Sequence, residues 1–160
     1  MVKRGLSVAT IAAQAGGYID AASGGVVPPI QPSTTFVRDR NYALHASGNI
    51  YSRDDNDVGR VAEGLLAQLD NARAALLFPN GMAAIAAVFR ALPTGSRLLL
   101  QSQIYWGTTK WLRAFCKRRG LILVEADLSD PAQMAQLCVV HKPDLVFIET
   151  PSNPWLRSTD

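Results

Sequence analysis

Arg97 to Ala126 runs RLLLQSQIYWGTTKWLRAFCKRRGLILVEA: two short apolar runs with a helical pattern between them. Arg97 to Gln101 and Leu121 to Ala126 are continuous apolar stretches, not alternating ones. That is how strands read when both faces of a sheet are covered, as in parallel sheets. Between them, Gly107 to Arg119 places Trp111, Leu112, Phe115 and Cys116 on one helical face, and Gly120 stops the helix. Strand, helix, parallel strand is the unit this stretch predicts.

The same alternation extends in both directions. Upstream, Ala74 to Phe78 is a short apolar run expected as a buried strand, broken by Pro79-Asn80-Gly81. Met82, Ile85, Ala86 and Phe89 then mark a helix that closes near Pro93-Thr94-Gly95. Before that, Val58, Val61, Leu65, Leu66 and Leu69 recur at helical spacing, with Asp57 as the expected N-cap. Downstream, Pro131 to Val139 reads as a helix capped by Asp130 or Ser129. Asp144 to Glu149 reads as a further strand, broken by Pro151-Ser152-Asn153-Pro154. The predicted class is α/β, a mostly parallel sheet with flanking helices. Right-handed crossovers put the C-terminal ends of its strands on one edge, where such sheets bind ligands. The turns at Asn80-Gly81, at Ser102 to Tyr105, at Asp127 and at Thr150 to Pro154 are therefore where chemistry is expected.

Residues 1–56 differ. Ser7 to Ala15 fits a short helix. Gly16 to Ser52 carries Gly16-Gly17, Gly24-Gly25, Pro28-Pro29 and Pro32 and reads as an extended arm. An arm that long is not expected to pack only on its own domain. The expected organisation is this arm at 1–56 followed by an α/β domain at 57–160.

The 160 residues are 48% hydrophobic and 18% charged, with a formal charge of +3, a globular profile. The densest basic group, Lys110, Arg113, Lys117, Arg118 and Arg119, fits the wet face and last turn of one helix. No nucleic-acid partner is expected. Nothing approaches the ~20 apolar residues of a membrane span, and Met1 to Gly5 does not lead into a signal peptide. Cys116 and Cys138 lack a CxxC or His partner, so no metal site is expected; reduced thiols fit a cytoplasmic protein.

Single residues leave alternatives open. Gly81 and Met82 start a helix, which suits an anionic phosphate, or only a tight turn. Tyr105 stands where an aromatic could stack on a flat ring, or pack on its own helix. Asn153 is an amide held between prolines, able to donate to a ligand or merely to form the turn. Arg53, after Tyr51, is a natural bidentate phosphate partner or a surface arginine. Glu149, at a strand end, reads as a solvated or loop-pairing carboxylate.

Taken in order, these pieces resemble one family. Gly24-Gly25-Val26-Val27-Pro28-Pro29-Ile30-Gln31-Pro32-Ser33-Thr34-Thr35-Phe36 is similar to the "VVPPI…STF" opening of transsulfuration enzymes. Tyr51-Ser52-Arg53 with Asn56 is similar to "YSRxxNPT". Phe78-Pro79-Asn80-Gly81-Met82-Ala83-Ala84 is similar to "FSSGMAA", and Tyr105-Trp106-Gly107-Thr108 to "YGGT". Glu149-Thr150-Pro151-Ser152-Asn153-Pro154 is nearly "ESPSNP". Each motif alone is weak; five in order and at matching spacing are specific. The chain resembles the Cys/Met metabolism family of pyridoxal-phosphate (PLP) enzymes.

The resemblance implies a fold-type I PLP-dependent domain and PLP as cofactor. It assigns Gly81 and Met82 to the phosphate, Tyr105 to the pyridine ring and to proton transfer, and Asn153 to the ring hydroxyl. Tyr51 and Arg53 would reach the phosphate of a neighbouring subunit, in a tetramer built from dimers. The implied substrates are sulfur amino acids, cystathionine or a homoserine ester. A cystathionine beta-lyase-like reaction is expected, with gamma-synthase or homoserine sulfhydrylase chemistry as alternatives. A non-catalytic remnant acting as a binding or regulatory subunit is the rival from another class. The chain departs from the pattern at Asn80, Asp57, Trp106 and Trp155. It also lacks the family's ring-nitrogen Asp, its "SxTK" Schiff-base lysine and its C-terminal domain. The expectation is therefore an N-terminal fragment, inactive alone.

Overall fold

The structure is a computed structural model that describes residues 6–159; Met1 to Gly5, read above for a leader, lie outside the described residues. The chain forms two compact units, one ending at Leu77 and the other beginning at Phe78.

In the first unit, α1 (Val8–Ala13) is capped by Ser7, whose hydroxyl accepts from Thr10 N–H at 3.1 Å. A 3-10 turn at Ala15–Gly17 follows. Gly16 there has φ +66°, and a Cβ on it would meet the Gln68 amide at 2.9 Å. From Tyr18 to Asn56 there is no helix or paired strand, only isolated antiparallel bridges Thr35–Tyr51 and Arg38–Leu44. Val26, Val27, Ile30 and Val37 in this stretch are exposed.

Helix α2 (Asp57–Leu69) packs on α1. Its N-cap is Asn56, whose side chain accepts from Gly59 N–H at 2.7 Å. Asp57, expected to cap, is instead the first helical residue, and its carboxylate takes Asn49 Nδ2 and Arg60. Asparagine wins because its backbone is extended, which is what a cap requires. By contact α2 belongs with the arm, so the change of pattern at 56/57 marks a helix start within the first unit.

Ala74 to Phe78, expected as a strand, is not one. Leu77 N–H donates to the Glu63 carboxylate at 2.9 Å, and Leu76, Leu77 and Phe78 are exposed. Apolar content suits a strand, but a ladder needs a neighbouring backbone, and no described strand lies alongside this run.

The second unit holds a parallel sheet of three strands in the order β2-β1-β3. They are β1 (Arg97–Gln101), β2 (Ile122–Ala126) and β3 (Leu145–Phe147). Leu99 of β1 stands opposite Val124 of β2 and Val146 of β3. Helix α3 (Gly81–Arg90) precedes β1, α4 (Trp106–Arg119) links β1 to β2, and α5 (Pro131–His141) carries the chain past β1 to β3. Gly120 ends α4 at φ +68°, and Asp130 caps α5 through Ala132 N–H at 2.9 Å.

Leu98 and Leu100 join Phe89, Ile104, Leu112, Phe115, Cys116 and Leu121 in the core, while Leu99 points to the opposite face and is fully buried as well. A strand buried on both faces explains the unbroken Leu-Leu-Leu. Phe89 meets Phe147 at 5.3 Å between ring centroids, and Trp111 stacks on Phe115 at 4.6 Å.

Candidate functional site

Every strand in this unit ends at the same edge, and the chain leaves β1, β2 and β3 there through Ser102–Tyr105, Asp127 and Glu149–Asn153. Helix α3 presents its N-terminus nearby. Asn80 caps it, its side chain accepting from Ala83 N–H at 2.8 Å. The N–H groups of Gly81 and Met82 find no acceptor among the described residues. A Cβ on Gly81 would meet nothing within 4 Å, so the helix start is open. Free amides at the positive end of the helix dipole form a site for an anion.

Thr108, fully buried in the first turn of α4, donates to the Met82 sulfur at 3.6 Å. That contact ties the start of α3 to the start of α4. Tyr105, the residue before α4, is half-buried. Its backbone N–H points at the Glu149 carboxylate, 3.3 Å from Oε1 and 3.4 Å from Oε2. The same Oε1 accepts from Asn153 N–H at 2.6 Å. Glu149 thereby joins Tyr105 to Asn153, and the Thr108–Met82 contact ties the start of α3 to the helix that Tyr105 precedes. The Asn153 carboxamide and the Tyr105 hydroxyl make no hydrogen bond among the described residues. Of the two sequence readings of Glu149, solvated or loop-pairing, the structure shows the loop-pairing one; its place in the cluster is marked in sequence by the Pro-Ser-Asn-Pro turn that follows it.

At the mouth of the edge, Asp127 accepts from Ser129 and pairs with Arg157 at 2.9 Å. These donors, Ser129 first, hold the Asp127 carboxyl below its ordinary range. Arg113 grips Glu125 through two 2.7 Å bonds, which lower the Glu125 carboxyl likewise. Lys110 sits over the exposed Trp106 ring, 5.6 Å from its centroid.

Tyr51 and Arg53 lie in the first unit. The Arg53 guanidinium lies 5.0 Å from the centroid of the Tyr51 ring, and Arg53 is exposed. The two side chains form one amphipathic pair that an oxyanion could approach.

The α/β unit thus sets an open helix N-terminus, an aromatic residue and an amide on one edge of a parallel sheet. Residues 9–160 match the model of the family described as Cys/Met metabolism PLP-dependent enzyme, and the chain belongs to that family. The cofactor of the family is pyridoxal 5′-phosphate, and the free amides of Gly81 and Met82 fit its phosphate. Cystathionine gamma-lyase of Bos taurus is 34% identical over 84% of this chain and 33% of its own length. Cystathionine gamma-synthase/O-acetylhomoserine (thiol)-lyase of Bacillus subtilis is 32% identical over 96% of this chain and 40% of its own length. The crystal structure of cystathionine gamma synthase from Xanthomonas oryzae pv. oryzae in complex with cystathionine superposes with a TM-score of 0.84. It is 35% identical, over 97% of this chain and 40% of that one. The fold is that of these enzymes, and the chain spans a third to two-fifths of their length.

Proposed function

We propose that this chain is the cofactor-gripping N-terminal part of a PLP-dependent enzyme that cleaves or forms a C–S bond of a sulfur amino acid. The convergence of the α3 amides, Tyr105 and Asn153 on one edge supports this reading. The relatives named above are a gamma-lyase and gamma-synthases, which favours the γ carbon of cystathionine or a homoserine ester over the β carbon of the beta-lyase-like expectation.

In this reading the bound cofactor supplies an electron sink for charge at the substrate's α carbon. The chain's own residues do the rest. Gly81 and Met82 N–H groups would hold the phosphate. Tyr105 would lie against the cofactor ring, and its hydroxyl would hold or move a proton at Oη. Asn153 would donate toward the ring hydroxyl. Arg53, with Tyr51, would serve the phosphate of a neighbouring copy. The exposed Val26, Val27, Ile30 and Val37 support an arm that lies on another subunit, in a tetramer built from dimers. Cys116 and Cys138, both free thiols, support a cytoplasmic setting.

A chimaera tests it. Residues 9–160 replace the aligned N-terminal region of the Bacillus subtilis relative, and the product is assayed with PLP and cystathionine. Release of 2-oxobutanoate marks cleavage at the γ carbon, and pyruvate would move the assignment to the β carbon. A folded, PLP-loaded chimaera that forms neither, and joins no thiol to a homoserine ester, would end the C–S reading. The 160-residue chain alone, without the family's cofactor-bound lysine, is expected to form no product.

A further inference from the structure

Glu149 stands two residues past β3, and its carboxylate serves two loops at once. Oε1 accepts from Asn153 N–H at 2.6 Å and from Tyr105 N–H at 3.3 Å, with Oε2 at 3.4 Å from the latter. Its own backbone is held in turn. Glu149 N–H donates to Oε1 of Gln101 at 2.9 Å, and Gln101, the last residue of β1, is 1% exposed. β1 and β3 are neighbours in the sheet, so Gln101 anchors Glu149 to the rigid part of the unit. A carboxylate is acceptor-only and binds converging N–H donors more strongly than a neutral acceptor does.

We propose that Glu149 is a positioning residue. It fixes the Tyr105 loop and the Asn153 loop in one arrangement, and Gln101 ties that arrangement to the sheet. Because it binds the backbone of both residues, it leaves the Tyr105 hydroxyl and the Asn153 carboxamide free to meet a ligand. The value of this arrangement to catalysis rests on the cofactor reading above; the coupling of the two loops does not. Sites held to the productive geometry by supporting hydrogen bonds lose function when that support loosens.

The test is residue-resolved amide hydrogen exchange on the 160-residue chain, with no cofactor present. Glu149→Ala is expected to speed exchange at Tyr105 and Asn153 together, each by about tenfold or more, with the Leu99 and Leu100 amides unchanged. Glu149→Gln keeps one acceptor oxygen and is expected to restore part of the protection at both. A response at only one of the two amides, or at neither, overturns the proposal. Should the alanine variant unfold, seen as lost protection throughout β1, the glutamine variant decides on the same criterion. A second arm measures PLP affinity of the chimaera, which Glu149→Gln is expected to weaken several-fold. If the parent chimaera takes up no PLP, the cofactor reading fails while the exchange result still decides the coupling.

Discussion

The ring of Tyr105 lies against the backbone of Gly107. A Cβ on Gly107 would stand 2.5 Å from Tyr105 Cε1, 2.9 Å from Cζ and 3.1 Å from the hydroxyl oxygen. Glycine at the second position of α4 is therefore what allows the aromatic ring to fold back over the helix start.

Gly107→Ala displaces that ring. Alanine favours a helix over glycine by up to about 1 kcal/mol, which offsets the strain of moving a half-buried side chain. Stability is expected to change little, while the Tyr105 ring resonances shift and PLP affinity of the chimaera falls. An unchanged ring environment would show that the contact has no consequence.

Asn80 separates capping from anion binding. Asn80→Ala removes the acceptor for Ala83 N–H and is expected to cost about 1 kcal/mol in urea denaturation. Asn80→Asp keeps the cap and the stability, but places a negative charge where phosphate is expected. Titration with PLP should find the aspartate variant of the chimaera folded and several-fold weaker in binding.

Phe89 is 1% exposed and touches rings from two other elements, Trp111 of α4 and Phe147 of β3. Phe89→Ala leaves a cavity that rigid strands cannot collapse into, and about 3–5 kcal/mol of stability should be lost. A fall much smaller than that in the denaturation midpoint would mean that α3 does not pack on this sheet.

The Glu125 carboxyl titrates below its unfolded value because Arg113 bonds to it. Its contribution to stability is thus present above the unfolded carboxylate range and fades as pH falls through the lowered folded value. Glu125→Gln should flatten the acid limb of stability against pH, with a small effect near neutrality because the Arg113 side chain is largely exposed. Thermal unfolding between pH 3 and 7 measures it.

If Arg53 serves a neighbour's site, two defective copies complement each other. Arg53→Ala and Tyr105→Phe chimaeras, unfolded and refolded together, would form mixed dimers with one intact site in two. With half the dimers mixed, recovery of about a quarter of parental activity is expected. No recovery would place Arg53 and Tyr105 in the site of a single chain.

Much of this was legible in local sequence. Arg97 to Gln101 reads as a strand buried on both faces because three leucines in a row admit no polar face, and β1 spans those residues. Gly120 ends α4 because only a left-handed residue closes that turn cheaply. Asp57 misled because it is as good a capping side chain as Asn56, and only the backbone angle at the preceding residue separates them.

By itself, then, the order of residues determined the alternation of helix and strand, the edge on which the loops gather, and the family, since these rest on periodicity, turn chemistry and spaced motifs. Tertiary structure alone decided two things. Ala74 to Phe78 forms no strand, because a ladder depends on what lies beside it. Glu149 binds the backbones of both Tyr105 and Asn153, because residues 44 apart in the chain meet only once parallel strands have brought their ends together.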